Sequence, residues 1–185
     1  SGIEAVNLLL SETPEESIAL AQAVDAYNQE RKGKEDTITT EALEQLAEDP
    51  ENEHKYTTVV YNPNWHKGVV GIAASKLIET YYRPTIVLTS CSEMVGQPSG
   101  LTAQLSCSPK DGLISGSARS VEGFDLYSAI DACSDLLTTF GGHLFAAGLT
   151  LPEANLEAFK KRFDEYVKQH ILPEQQQPTL NIEAE

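Results

Sequence analysis

The sequence predicts an α/β domain: a central mixed β-sheet of about five strands flanked by helices, preceded by a long helical connector. Three observations carry that expectation. Residues 57–61 and 85–89 read as buried strands on either side of a helix, the pattern of a βαβ unit. Two further strand signals, near residues 112–117 and 146–151, alternate with two amphipathic helical stretches. The first third of the chain carries a helix start signal and a helical repeat of apolar residues.

In chain order, Thr13-Pro14-Glu15-Glu16 is a capping box with proline at the first helical position. Leu20, Val24, Tyr27, Ile38, Ala42 and Leu46 then follow a helical repeat, with Arg31 and Glu35 in register. Gly33 interrupts the run and is expected to split it into two helices, and Asp49-Pro50 closes it. Thr57-Thr58-Val59-Val60-Tyr61 is β-branched and aromatic. Gly68 to Tyr82 has helical spacing through Val69, Ile72, Ala73, Leu77 and Ile78, and Arg83-Pro84 stops it. Thr85 to Thr89 forms the second strand, which requires parallel pairing and a right-handed crossover. Ser90 to Asp111 is rich in Ser, Gly and Pro, without a clean period, and reads as a loop or an inserted hairpin. Gly112 to Ser117 is a strand leading into a turn, Asp125 to Thr138 a helix, Ala146 to Leu151 a strand and Asn155 to His170 a final helix. The Gln-rich stretch before Pro178 is a linker.

The chain has 185 residues, 41% hydrophobic and 22% charged, the balance of an ordinary globular domain. No apolar run reaches the roughly 18 residues of a membrane span, and Ser1-Gly2-Ile3-Glu4 has no basic leader, so the expected setting is cytoplasmic. The Ser-Gly opening without Met reads as the start of an internal fragment. Cys91, Cys107 and Cys133 are too few and too scattered for a zinc site or a disulfide scaffold, and read as reduced. Net charge is −15, which argues against a simple basic nucleic-acid binder. Residues 1–54 hold 14 acids against 3 bases, whereas residues 55–151 hold 7 against 6. The middle of the chain can therefore carry a local phosphate site, and the N-terminal acids read as a solvated surface.

Three glycine-bearing segments could do so. Trp65-His66-Lys67-Gly68-Val69-Val70-Gly71 joins a strand to a helix, where free amides favour an anion and Lys67 adds charge. The same glycines equally serve close helix-to-sheet packing, with Trp65 as a core anchor. Ser117, Arg119 and Ser120 on a turn could clamp a phosphate, since a guanidinium grips its oxygens with a fork, or could cap the next helix. In Phe140-Gly141-Gly142-His143, Gly141 is expected to cap the preceding helix, while His143 could donate to a phosphoryl oxygen or sit buried and satisfied. No Asp/His cluster has metal-ligand spacing.

Together and in this order, the segments resemble one family. The run from Trp65 to Leu77 is similar to the W-H-x-G-V-x-G-I-x-A-S-R/K-L signature of RecJ-type exonucleases of the DHH phosphoesterase family. Gly116 to Leu126 resembles that family's G-S-A/G-R-S-I-x-G-F-D/N-L segment. Phe140 to Gly148 resembles the F-G-G-H-x-x-A-A-G motif of the DHH-associated domain, and Tyr27 to Lys32 the N-x-E-R-K of its connecting helix. The resemblance implies a connector over residues 1–54, a DHH-associated substrate-binding domain over 55–172, and a linker over 173–185. Thr179-Leu180-Asn181-Ile182 would open a following OB-fold. It implies a hydrolase with a preceding DHH lobe that binds manganese or magnesium, and single-stranded DNA degraded from its 5′ end in repair and recombination. His143 would act at the scissile phosphate. Ser117, Arg119, Ser120, Gly141, Gly142, His66 and Gly68 would form the substrate side of the cleft. This chain itself would hold no cofactor, contact no membrane, and be inactive without its other lobes. Two alternatives stay open: a DHH phosphoesterase acting on short oligonucleotides or cyclic dinucleotides, and a non-catalytic nucleic-acid-binding module like the related domain of alanyl-tRNA synthetases.

Overall fold

A computed structural model describes residues 2–91 and 112–178. The Ser90–Asp111 stretch beyond Cys91 and the suggested OB-fold opening at 179–182 lie outside the described residues. The elements run α1 (Gly2–Leu10), α2 (Pro14–Glu48), β1 (Thr58–Tyr61), α3 (Val70–Thr80), β2 (Thr85–Ser90), β3 (Leu113–Arg119), α4 (Leu126–Asp131), β4 (Thr139–His143), β5 (Ala146–Pro152) and α5 (Leu156–His170). The five strands form one sheet in the order β1-β2-β3-β5-β4. β1 and β2 pair in parallel across the α3 crossover, and the other pairs are antiparallel, so the mixed α/β sheet with its long leading helix is observed.

Helices cover both faces of this sheet, and the strand alternation assigns each side chain to one of them. Ile86, Leu88, Ile114, Ala118, Ala147, Leu149 and Leu151 face α4 and α5, where Phe159 and Phe163 stack with ring centroids 5.7 Å apart. Val60 and Val87 face the other way, towards α3 and the C-terminal half of α2, through Ala73, Ala74, Leu77, Ile38, Ala42 and Leu46. Asp164 of α5 locks the entry to β1: its Oδ1 accepts from Tyr56 N at 2.8 Å, Thr57 N at 2.9 Å and Thr57 Oγ1 at 2.8 Å.

Several sequence expectations are corrected. Gly33 does not split the first helix: α2 is continuous over 35 residues, capped at Thr13, and a glycine in a helix interior costs only about 1 kcal/mol relative to alanine. Of the predicted stripe and the residues in register with it, Glu35, Ile38, Ala42 and Leu46 are buried and the earlier positions are not, because the N-terminal half of α2 contacts α1 rather than the sheet. The helix expected over 125–138 ends at Asp131, followed by a short 3-10 turn at Ser134–Leu136. The residues expected to end it are instead strand β4, so Gly141 is no helix cap; it pairs with Gly148 of β5. Ser117 and Arg119 belong to β3 itself, and only Ser120 lies in the turn beyond. Cys133 is free and buried.

Candidate substrate-binding face

Register brings two of the three glycine-bearing segments together, and the packing of Gly71 against Arg119 and Ser117 adds the third. Arg119 lies opposite Ala146, which in turn lies opposite His143, and Ser117 lies opposite Gly148, which pairs with Gly141. Directly paired residues share a face. Ser117, Arg119, Gly141, Ala146, Gly148 and His143 therefore lie on the same side of the sheet as α3. Helix α3 packs over β2 and β3 on that side, while Gly141 and His143 of β4 are exposed. The result is a floor of small residues with His143 at one edge and Arg119 two strands away, about 10 Å between their backbones.

Helix α3 meets this floor at its N-terminal turn. A Cβ built on Gly71 would stand 2.9 Å from Arg119 Nη2 and 3.2 Å from Ser117 Oγ. The glycine thus lets the first turn of α3, with its unpaired amides, approach both candidate phosphate ligands. Arg119 Nη1 donates to its neighbour's carbonyl, Ala118 O, at 2.8 Å, and no carboxylate pairs with its guanidinium among the described residues. A half-buried cation beside a hydroxyl and a helix N-terminus favours an anion.

The two histidines of the motifs are held alike. His143 Nδ1 accepts from Phe145 N at 3.3 Å, and His66 Nδ1 accepts from Gly68 N at 3.1 Å. In each neutral ring the proton is then placed on Nε2, which becomes the outward donor. His143 is exposed, so its alternative reading as a buried, satisfied ring is not what the fold shows. The glycine beside it is needed for the hairpin: a Cβ on Gly142 would fall 2.4 Å from Ala146 O and 2.5 Å from Ala147 Cα. Gly142 lies on the opposite face from His143, and a Cβ on Gly141 would meet nothing within 4 Å.

The remaining motif residues join the parts. Ser120 N donates to Phe145 O at 3.0 Å, and Ser120 Oγ donates to Phe124 O at 2.9 Å, which ties the end of β3 to the β4–β5 hairpin tip. Trp65 is buried, and its Nε1 donates to Glu41 Oε2 at 2.6 Å; Asn62 Nδ2 reaches the same oxygen at 3.2 Å. Glu35 is buried on α2 and pairs with Arg31 of its own helix and Lys76 of α3, both at 2.9 Å. Those two acids correct the reading of the N-terminal acids as solvated surface: they dock α2 onto α3 and steady the loop that carries His66. Lys34, bonded to Glu30, holds that carboxyl below its ordinary pKa, with a smaller contribution from His66. Sequence spacing put Glu35 in register with Arg31 but gave no sign of its tie to Lys76, or of Glu41, whose partners lie more than twenty residues along the chain.

Among the described residues no group of three His, Cys, Asp or Glu side chains could hold a metal ion. No helix there is long and apolar enough to cross a membrane.

A mixed sheet with a helix N-terminus and a Gly-Gly-His hairpin on one face is an α/β architecture, and the chain belongs to the DHHA1 domain family, whose model matches residues 53–169. Its curated relatives include the single-stranded-DNA-specific exonuclease RecJ of Bacillus subtilis, 34% identical over 179 residues, and that of Escherichia coli, 35% identical over 175. The matches take in 97% and 91% of this chain but only 20% and 27% of those proteins. The chain therefore spans about a fifth to a quarter of the length of these relatives. The crystal structure of RecJ from Thermus thermophilus in complex with Mg²⁺ superposes with a TM-score of 0.71 at 28% identity, over 91% of this chain and 23% of that one. A structure of exonuclease RecJ bound to manganese gives 0.67 at the same identity, covering 36% of that chain.

Proposed function

We propose that this chain is the substrate-holding lobe of a single-strand-specific DNA exonuclease that works from the 5′ end in DNA repair and recombination. The observation that carries the reading is the shared face: strand register places Ser117, Arg119 and His143 on one side of the sheet, with the N-terminus of α3 against the first two. Ser117 Oγ and the Arg119 guanidinium bind the terminal phosphate. Exposed Nε2–H of His143 donates to a non-bridging oxygen of the scissile group, where negative charge grows in the transition state. Small residues at 141, 146 and 148 let the nucleic-acid backbone come close to the sheet, and the open space above Gly141 suits such an approach. Ser120, Gly142, His66 and Gly68 hold these groups in place.

Residues 1–54 act as the connector from a preceding DHH lobe, 55–172 as the DHH-associated domain, and 173–185 as the lead into an OB-fold. The reading places the protein in the cytoplasm. A divalent manganese or magnesium ion in the DHH lobe, when bound, supplies the activated water for phosphodiester hydrolysis. This chain alone is then a hydrolase part without activity.

The test uses the full-length protein with Mn²⁺ and single-stranded oligonucleotides labelled at either end. Release of nucleotides from the 5′ end is expected, and His143→Ala should lower kcat by about 10²–10³, the usual cost of one transition-state donor. Undiminished turnover in that variant, or degradation from the 3′ end, would sink the assignment.

A further inference from the structure

A cavity lies away from the floor just described, where the residues leading into β1 and β2 meet the end of α5. It encloses about 480 Å³, and its wall includes His54, Tyr56, Tyr82, Arg83, Lys168 and Gln176. Gln176 belongs to a short 3-10 helix, Pro173–Gln176, so the cavity opens beside the point where the chain continues past residue 178.

The chemistry of its wall is cationic and aromatic. Arg83 donates through Nε to Thr58 Oγ1 at 2.7 Å, and through Nη1 to Asn52 O and Lys55 O, both at 2.8 Å. Nη2 donates to Asn52 Oδ1. Four of its five N–H groups are thus spent on neutral oxygens, and no carboxylate forms an ion pair with it among the described residues. Burial pulls its pKa below the ordinary value, opposed by the more distant Asp164, Tyr81 and Asp49. A charged group so placed gains from an anion arriving in the cavity. Lys168 adds a second cation, its Nζ 5.8 Å from the centre of the Tyr56 ring. Among the described residues, Glu53 is the one carboxylate on the wall. Lys55, also on the wall, is engaged elsewhere by Asp49 Oδ2 at 2.5 Å. Tyr56 itself is fixed, because its amide is held by Asp164.

We propose that this cavity is a second nucleotide site, which takes one phosphate-and-base unit of a single strand, the phosphate at Arg83 and Lys168 and the base against Tyr56 or Tyr82. Aromatic rings beside cations are the usual means of holding single-stranded nucleic acid without reading its sequence. The strand as ligand rests on the function proposed above; the site itself rests on the cavity. Its distance from Ser117 and Arg119 sets its role. Helix α3 begins beside those residues at Gly71 and ends at Thr80, three residues before Arg83, so roughly 15 Å of helix separates the two sites. The cavity therefore holds a part of the strand remote from the end bound at Arg119.

The experiment is an amide-resolved NMR titration of the chain with a ten-residue oligothymidylate lacking a 5′ phosphate, at low salt. Amides of residues 54–56, 82–83 and 168–176 are expected to shift together and saturably. Lys168→Glu, an exposed position on α5, should weaken that binding about tenfold and lower the salt dependence by about 0.7 in slope, the share of one phosphate contact. Arg119→Ala should leave these shifts in place. The proposal is overturned if the cavity amides do not respond at millimolar strand, or if inorganic phosphate alone moves them at the same affinity as the strand. Binding at Ser117 and Arg119 is read on a different set of amides, so the two readings fail independently.

Discussion

Replacing Gly71 with alanine separates the phosphate clamp from the stability of the fold. The added Cβ would stand 2.9 Å from Arg119 Nη2 and 3.2 Å from Ser117 Oγ, both at or near the free ends of side chains. Arg119 can swing away at little cost to the backbone, while alanine in the first turn of α3 gains up to about 1 kcal/mol of helix propensity. The net effect on stability should lie within about 1 kcal/mol, or roughly 2–4 °C in Tm for a chain of this size. The effect on binding should be larger. A hydrogen bond to a charged group contributes about 1.5–3 kcal/mol, so displacement of Arg119 should cost roughly 10- to 100-fold in affinity for a 5′-phosphorylated oligonucleotide. Affinity for the 5′-hydroxyl form should change little. Fluorescence anisotropy with both oligonucleotides, beside a thermal melt, reads the two effects apart. A variant with unchanged phosphate preference would refute the clamp, and a melt lowered by many degrees would refute the claim that only side-chain ends are displaced.

Other perturbations act on the frame. Gly116→Ala should destabilise by about 1–3 kcal/mol or more, read by chemical denaturation, because its Cβ would fall 2.2 Å from the backbone Val87 O, which cannot swing aside. Asp125 caps α4 by accepting from Ser128 N and Ser128 Oγ, which hold its carboxyl below the ordinary pKa. Its contribution is present above the unfolded-state value and lost as pH falls through the lower folded value, so Asp125→Ala should cost about 0.5–2 kcal/mol at pH 7 and much less near pH 2. Burial pushes the Cys133 thiol up to about 11, so it should resist alkylation at pH 7.5 until the protein unfolds; rapid labelling of the native chain would contradict its buried position.

Much of this frame could be read from residue order. Thr13-Pro14-Glu15-Glu16 marked the start of α2, and β-branched runs marked β1 and β2, because those signals act over a few residues. Strand β4 could not be read in that way. Thr139-Phe140-Gly141-Gly142-His143 has little strand propensity, and becomes a strand through pairing with Ala146–Thr150 across a tight hairpin. The motifs named the candidate ligands, but not that Ser117, Arg119 and His143 share a face, which depends on the register of three strands. Nor did any local pattern announce Asp164 beneath Thr57, Glu41 beneath Trp65, or Arg83 on a cavity wall. Each of these depends on a partner more than twenty residues away, and only the folded chain brings them together.

The most direct test of the central claim is the affinity of this chain for a short single-stranded oligonucleotide with and without a 5′ phosphate, at low salt, in the parent and in Arg119→Ala. The account predicts a preference of roughly tenfold or more for the phosphorylated end in the parent, and none in the variant. Equal affinity for both ends in the parent, or a preference that survives the loss of Arg119, would contradict it.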